Sequence, residues 1–225
     1  MRRLGTLNCI EAIADFENPK TWIVMFHGYG ADNRDLASLA ELIPTDGSTN
    51  WIFPNGIIEV PIGPGWSGRA WWPIDIAALQ KAQATGGDLP ERDPVSVGAL
   101  RKTVFDAITQ LNVPWNKIVL GGFSQGAMLA TDIFLNAPEA PKGLIIFSGA
   151  VICKEQWKPL IPNRKGLKYF ISHGGQDPII PVRAGNQLES LLNSGGMKGG
   201  LMTFNGGHEI PPQVIAKAGE YLRSL

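Results

Sequence analysis

The stretch Gly122-Phe123-Ser124-Gln125-Gly126 follows the apolar run Ile118-Val119-Leu120 and precedes the helical Ala127-Met128-Leu129-Ala130-Thr131-Asp132-Ile133-Phe134. Gly-x-Ser-x-Gly between a strand and a helix predicts a turn so tight that the two glycines have no room for side chains. The central serine then takes a strained backbone conformation and projects its hydroxyl outward. The same turn aims the Gln125 N–H and a helix N-terminus at a point beside that hydroxyl, where negative charge is stabilised. An ordinary turn serine is the plain alternative, and the strand and helix on either side count against it.

Around this turn, short β-rich runs alternate with helical stretches. Predicted strands are 22–26, 51–53, 117–120, 143–147, 167–172 and 201–204, with a further edge strand at 7–13. Predicted helices are 32–42, 94–111, 125–135, 181–192 and 211–222. Several of these begin with Asp or Pro, as helix starts prefer. Strands apolar on both faces, separated by helices, imply an α/β fold with a mostly parallel central sheet and helices on both faces. The 225 residues fit one domain, 1–225, and contain no internal repeat. Two segments interrupt the alternation. Residues 54–94 are rich in Gly and Pro and carry Trp66, Trp71 and Trp72, too much aromatic surface for a plain linker. Residues 150–166 form a second loop, at the carboxyl end of the sheet, where ligands bind in open α/β sheets.

Composition removes several classes of function. Lys plus Arg and Asp plus Glu are 20 each, so no basic excess exists to neutralise phosphates and no nucleic acid partner is expected. Apolar runs are far shorter than the ~20 residues of a membrane-spanning helix, so no integral membrane association is expected. Arg2 and Arg3 are not followed by the apolar core of an export signal, and the two cysteines, Cys9 and Cys153, do not make a disulfide framework. A soluble cytoplasmic protein is the expectation.

A serine hydroxyl needs an adjacent base to become a nucleophile. The chain has three histidines, His27, His173 and His208. His208, in Gly206-Gly207-His208-Glu209 after the last strand, is the one placed late enough to follow an acid, and Asp177 in "HGGQDPIIP" is that acid. The order Ser124, Asp177, His208 is the one expected of α/β-hydrolases. His27 opens "HGYGAD" directly after a strand, where a His-Gly turn supplies the second oxyanion donor, here the amide of Tyr29. His27 and His173 themselves read as packed, hydrogen-bonded strand-end residues. A metal site from His173, Asp177 and His208 lacks close ligand pairs, and Gly28-Tyr29-Gly30 fails as a dinucleotide fingerprint because Asn33 replaces the third glycine.

From "FHGYGADNRDL" through "GRAWWPID", "LGGFSQGAM" and "HGGQDPIIP" to "GGHEIPP", the chain resembles the phospholipase/carboxylesterase branch of the α/β-hydrolases, which includes acyl-protein thioesterases and bacterial carboxylesterases. The resemblance implies Ser124 as nucleophile, Asp177 as acid, His208 as base, and the Tyr29 and Gln125 amides as oxyanion hole. It implies a small-molecule ester or thioester substrate and no cofactor, and leaves a homodimer open. A catalytically silent binder and a serine peptidase of the same fold are the rivals. Trp66, Trp71 and Trp72 divide evenly between loop packing and an apolar wall for an acyl chain. Arg69 is expected to pair with a nearby carboxylate such as Asp75.

Overall fold

The computed structural model of the chain describes residues 1–15, 17–75 and 94–225. An eight-stranded sheet runs through it. Its strands are β1 (Arg2–Leu4), β2 (Leu7–Ala12), β3 (Thr21–Phe26), β4 (Thr49–Pro54), β7 (Ile118–Phe123), β8 (Gly143–Phe147), β9 (Lys168–Gly174) and β10 (Lys198–Phe204), in the spatial order β1-β2-β4-β3-β7-β8-β9-β10. From β4 across to β10 every neighbouring pair is parallel, and β1 and β2 add an antiparallel edge. The central strands β3 and β8 are buried along their whole length, as their uninterrupted apolar runs require of strands covered on both sides.

One face of the sheet is covered by α2 (Pro94–Thr109), α3 (Gln125–Asn136) and α5 (Val182–Ser194), whose Leu100, Val104, Leu129, Ile133, Leu188 and Leu192 join one apolar cluster. The opposite face is covered by α1 (Leu39–Leu42) and α6 (Pro212–Arg223), with Leu39, Val214 and Ala218 in a second cluster. On the first face, Asp132 of α3 is fully buried. It is held by a two-pronged bond from Arg101 on α2, at 2.8 and 2.9 Å, and by the indole N–H of Trp157, which ends the short helix α4 (Lys154–Trp157), at 2.9 Å. Charge-assisted, bidentate bonding is what allows a carboxylate to be buried there. It ties the helix that follows Ser124 to its two neighbours.

Three expectations are corrected. The helix expected over 32–42 is confined to Leu39–Leu42, because Asp32 Oδ1 accepts the Arg34 N–H at 2.8 Å and turns with i to i+3 bonds fill the preceding residues. The segment after Pro54 is not all loop. It contains an antiparallel hairpin of β5 (Ile58–Gly63) and β6 (Trp66–Ala70), turned at Pro64-Gly65 with Gly65 at φ +75°. Residues 76–93 of that segment lie outside the described residues. The third is the loop expected over 150–166, which contains the short helix α4 and a 3-10 turn at Ile161–Arg164. Beyond these, β1 pairs with β2 through a turn at Gly5, where φ is +58°. Among the described residues no helix is long and apolar enough to cross a membrane.

Candidate active site

Parallel strands bring their carboxyl ends to one edge of the sheet, and every residue singled out for chemistry leaves from that edge: His27 after β3, Ser124 after β7, Asp177 after β9 and His208 after β10. Ser124 sits at φ 55° and ψ −119°, between β7 and the first turn of α3. A non-glycine residue there carries roughly 1–3 kcal/mol of strain. Packing imposes it. A Cβ on Gly122 would stand 2.4 Å from the Gly126 carbonyl, and one on Gly126 would stand 2.0 Å from the Phe26 oxygen. Backbone bonds complete the turn: Ser124 N–H donates to Phe147 O at 2.9 Å, and the Ala127 N–H donates to Ser124 O at 3.0 Å. Ser124 itself remains half-buried.

Asp177 and His208 meet. His208 Nδ1 donates to Asp177 Oδ2 at 2.6 Å, with the Asp177 carboxylate fully enclosed and the His208 side chain 15% exposed. Asp177 Oδ1 accepts the Ile179 and Ile180 N–H groups, each at 2.8 Å. Burial alone would raise the Asp177 pKa. The bonds from His208 and the two amides, with the His208 charge, outweigh it and hold the carboxyl below the usual carboxylate range. The imidazole of His208 also packs on the ring of Phe123, with centroids 4.6 Å apart, which sets it against the residue that precedes Ser124.

His173 reaches the same carboxylate from beneath, its Nε2 lying 3.5 Å from Asp177 Oδ2 and donating to Ile180 O at 2.7 Å. It is fully buried, and desolvation lowers its pKa against the upward pull of the Ile180 bond and of Asp177. Nothing in the sequence distinguished this contact from ordinary packing. Among the described residues no three His, Cys, Asp or Glu side chains are arranged to hold a metal ion.

The His27-Gly28-Tyr29-Gly30 turn lies against the serine, since a Cβ on Gly28 would fall 3.5 Å from Ser124 Cβ. Neither the Tyr29 nor the Gln125 N–H donates to a protein acceptor among the described residues. The β5–β6 hairpin closes over this turn: Gly30 N–H donates to Arg69 O at 2.9 Å and Arg69 N–H to Ala31 O at 2.8 Å. Gly68 has no alternative there, because a Cβ would stand 1.9 Å from Gly30 O. The Arg69 guanidinium donates to Gly56 O at 2.9 Å and lies 4.0 Å from Glu59, so its carboxylate comes from the facing strand and not from Asp75. The role of this hairpin was missed because Pro61 and Gly63 interrupt its alternation.

The three tryptophans separate. Trp71 is 1% exposed, edge-on to Phe26 with centroids 5.2 Å apart, and its indole N–H donates to His27 O at 2.9 Å. The Gln125 side chain grips the backbone on both sides of it, accepting from Trp71 N–H at 2.9 Å and donating to Trp72 O at 2.8 Å. Trp72 is buried as well, whereas Trp66 is 74% exposed near the hairpin turn.

Comparison with known proteins agrees with this architecture. The family model described as Phospholipase/Carboxylesterase matches residues 7–225. Acyl-protein thioesterase 1 of Kluyveromyces lactis is 30% identical over 83% of this chain and 82% of its own length, and that of Schizosaccharomyces pombe is 27% identical over 76% and 75%. Among solved structures, esterase PE8 superposes with a TM-score of 0.79 at 27% identity, covering 97% of this chain and 98% of its own. The Bacillus cereus carboxylesterase, at 21% identity and a TM-score of 0.69 over 97% and 94%, shares the fold. From residue 7 to its last residue, this chain belongs to the phospholipase/carboxylesterase family of α/β-hydrolases.

Proposed function

We propose that the chain hydrolyses carboxylic esters or thioesters through an acyl-enzyme on Ser124, with His208 as base and Asp177 as its orienting acid. The observation that carries this is the 2.6 Å bond between Asp177 and His208, made at the edge of the sheet where the strained turn presents Ser124. With Nδ1–H committed to the carboxylate, Nε2 is the free lone pair of His208 and takes the Ser124 proton as Oγ attacks the acyl carbon. The carbonyl electrons move onto oxygen, held by the Tyr29 and Gln125 N–H groups and the N-terminus of α3. Collapse of the tetrahedral intermediate expels alcohol or thiol, which leaves with the proton from His208 Nε2. Water, deprotonated by the same nitrogen, attacks the acyl-enzyme, and the released acid restores Ser124.

The relatives' names make acyl-protein thioesters candidate substrates. Trp72, carried on the backbone that Gln125 grips, is our choice for an acyl-chain wall. Cys9 and Cys153, buried and not joined in a disulfide, fit a reducing compartment, the cytoplasm. Hydrolysis of p-nitrophenyl esters by the purified chain tests the reading, with matched anilides alongside. Ester turnover that exceeds anilide turnover and is lost in Ser124→Ala and His208→Ala supports it. Faster anilide turnover points to a peptidase, and no turnover of either supports a binder.

A further inference from the structure

An oxyanion hole works only if its donors already point at the place where charge will appear, and each misdirected donor costs about 100-fold or more in rate. Gln125 N–H is aimed by the helix it begins. Tyr29 lies in a four-residue turn with no helix behind it, so something else must fix the plane of the Gly28–Tyr29 peptide. The Ala31 N–H reaches the Gly28 oxygen only at 3.4 Å, and among the described side chains the one bonded to that peptide is the imidazole of His27, at 2.7 Å.

Its hydrogen bonds define its protonation state. Gly56 N–H, which can only donate, points at His27 Nε2 at 2.9 Å, so Nε2 carries a lone pair. Gly28 O, which can only accept, lies 2.7 Å from Nδ1, so Nδ1 carries the hydrogen. His27 is therefore the neutral Nδ1–H tautomer. A second proton on Nε2 would confront the Gly56 N–H with another donor. The surroundings agree: the residue is 1% exposed, and desolvation lowers its pKa against the upward pull of the Gly28 hydrogen bond, of Asp35 and Asp32, and of the Asn55 side chain.

The carbonyl that accepts the Nδ1 hydrogen shares a planar trans peptide with the Tyr29 N–H. In such a unit C=O and N–H point in opposite directions. Fixing the Gly28 oxygen on the imidazole turns the Tyr29 N–H away from the ring, with no acceptor among the described residues, while Gly28 lies against the Ser124 side chain. A bonded carbonyl also polarises its own peptide, which strengthens the N–H as a donor. The ring is held in turn. Trp71 packs on it with centroids 5.2 Å apart and bonds the His27 carbonyl, and the Arg69 guanidinium fastens the Gly56 carbonyl at 2.9 Å.

We propose that His27 is a positioning residue for the oxyanion hole, its imidazole transmitting the Gly56 N–H through Nε2 and Nδ1–H to the Gly28–Tyr29 peptide and so aiming the Tyr29 amide. This rests on the hydrolase mechanism given above. Within it, the histidine of the His-Gly turn acts on catalysis without touching substrate, and the exchange of protons assigns it no acid or base step.

Two experiments decide the matter. In the wild-type chain, long-range nitrogen–proton NMR of the His27 ring is expected to show the Nδ1–H tautomer at neutral pH; an Nε2–H tautomer or an imidazolium overturns the proposal. In kinetics on a short p-nitrophenyl ester, His27→Leu is expected to lower kcat about 100-fold with KM within about 3-fold, and to weaken a trifluoromethyl ketone inhibitor in parallel. His27→Asn places an amide N–H near the position of Nδ1 and is expected to recover most of both losses. A folded His27→Leu with wild-type kcat, or a folded His27→Asn no better than His27→Leu, overturns the proposal. Should His27→Leu fail to fold, the wild-type tautomer and the Asn variant still decide. Absence of Ser124-dependent hydrolysis in the wild type would remove the parent mechanism instead, so the two failures are distinguishable.

Discussion

Ser124 and the Asp177–His208 pair lie at the same edge of the sheet but are held in place by opposite means. Backbone crowding fixes Ser124: two glycines leave no space for a Cβ, and its φ of 55° is forced by the approach of α3 to β3. Side-chain and amide hydrogen bonds fix the pair, with Asp177 accepting from His208, Ile179 and Ile180. The first device depends on shape and is indifferent to pH. The second depends on charge. In the mechanism proposed above, the nucleophile must stand still and the base must stay in register while its protonation changes, and the two constructions suit those roles.

The difference can be broken from either side. The largest effect is expected at the charge-dependent half: Asp177→Asn should lower kcat by about 10⁴-fold, because an amide cannot hold His208 in the Nδ1–H tautomer or stabilise its cation. Its stability signature has a definite sign. The folded-state pKa of Asp177 is depressed, so its contribution is present above the unfolded carboxyl pKa of about 3.9 and is lost as pH falls through the folded value. Urea denaturation of wild type and Asp177→Asn should therefore differ most near neutrality and converge in acid; a gap that widens in acid would contradict the hydrogen-bond assignment.

At the shape-dependent half the expected changes are smaller and independent of pH. Gly126→Ala places a methyl 2.0 Å from Phe26 O and should destabilise the chain by about 3 kcal/mol in the same assay. Ser124→Gly, which removes the φ penalty, should stabilise it by about 1 kcal/mol in that assay. A Gly126→Ala chain as stable as wild type would show that the turn is not closed by the Phe26 carbonyl.

The legibility of the sequence divides along the same line. Strands β3, β7 and β8 and helix α3 were readable because apolar runs and a glycine-flanked serine leave few alternatives. Chain order pointed to Asp177 and His208, but their contact was not legible, since 31 residues separate them. The 32–42 stretch was misread because an Asp at its start caps a turn as readily as a helix. The β5–β6 hairpin was hidden by Pro61 and Gly63, and with it the packing that closes over the Tyr29 turn. His27 was read as structural, and its burial fits that reading. What no spacing rule encodes is that a buried ring can point a neighbouring amide. Trp71 shows the same limit, because its indole and backbone bonds to His27 and Gln125 join segments 44 and 54 residues apart.

The central claim is that the hydroxyl of Ser124 becomes covalently acylated with His208 as its base. Acid quench of the enzyme with a p-nitrophenyl ester, followed by peptide mass mapping, tests it directly. One acyl group per chain is expected, carried on Ser124 and absent from His208→Ala. Steady hydrolysis with no adduct, or an adduct on a different residue, would contradict it.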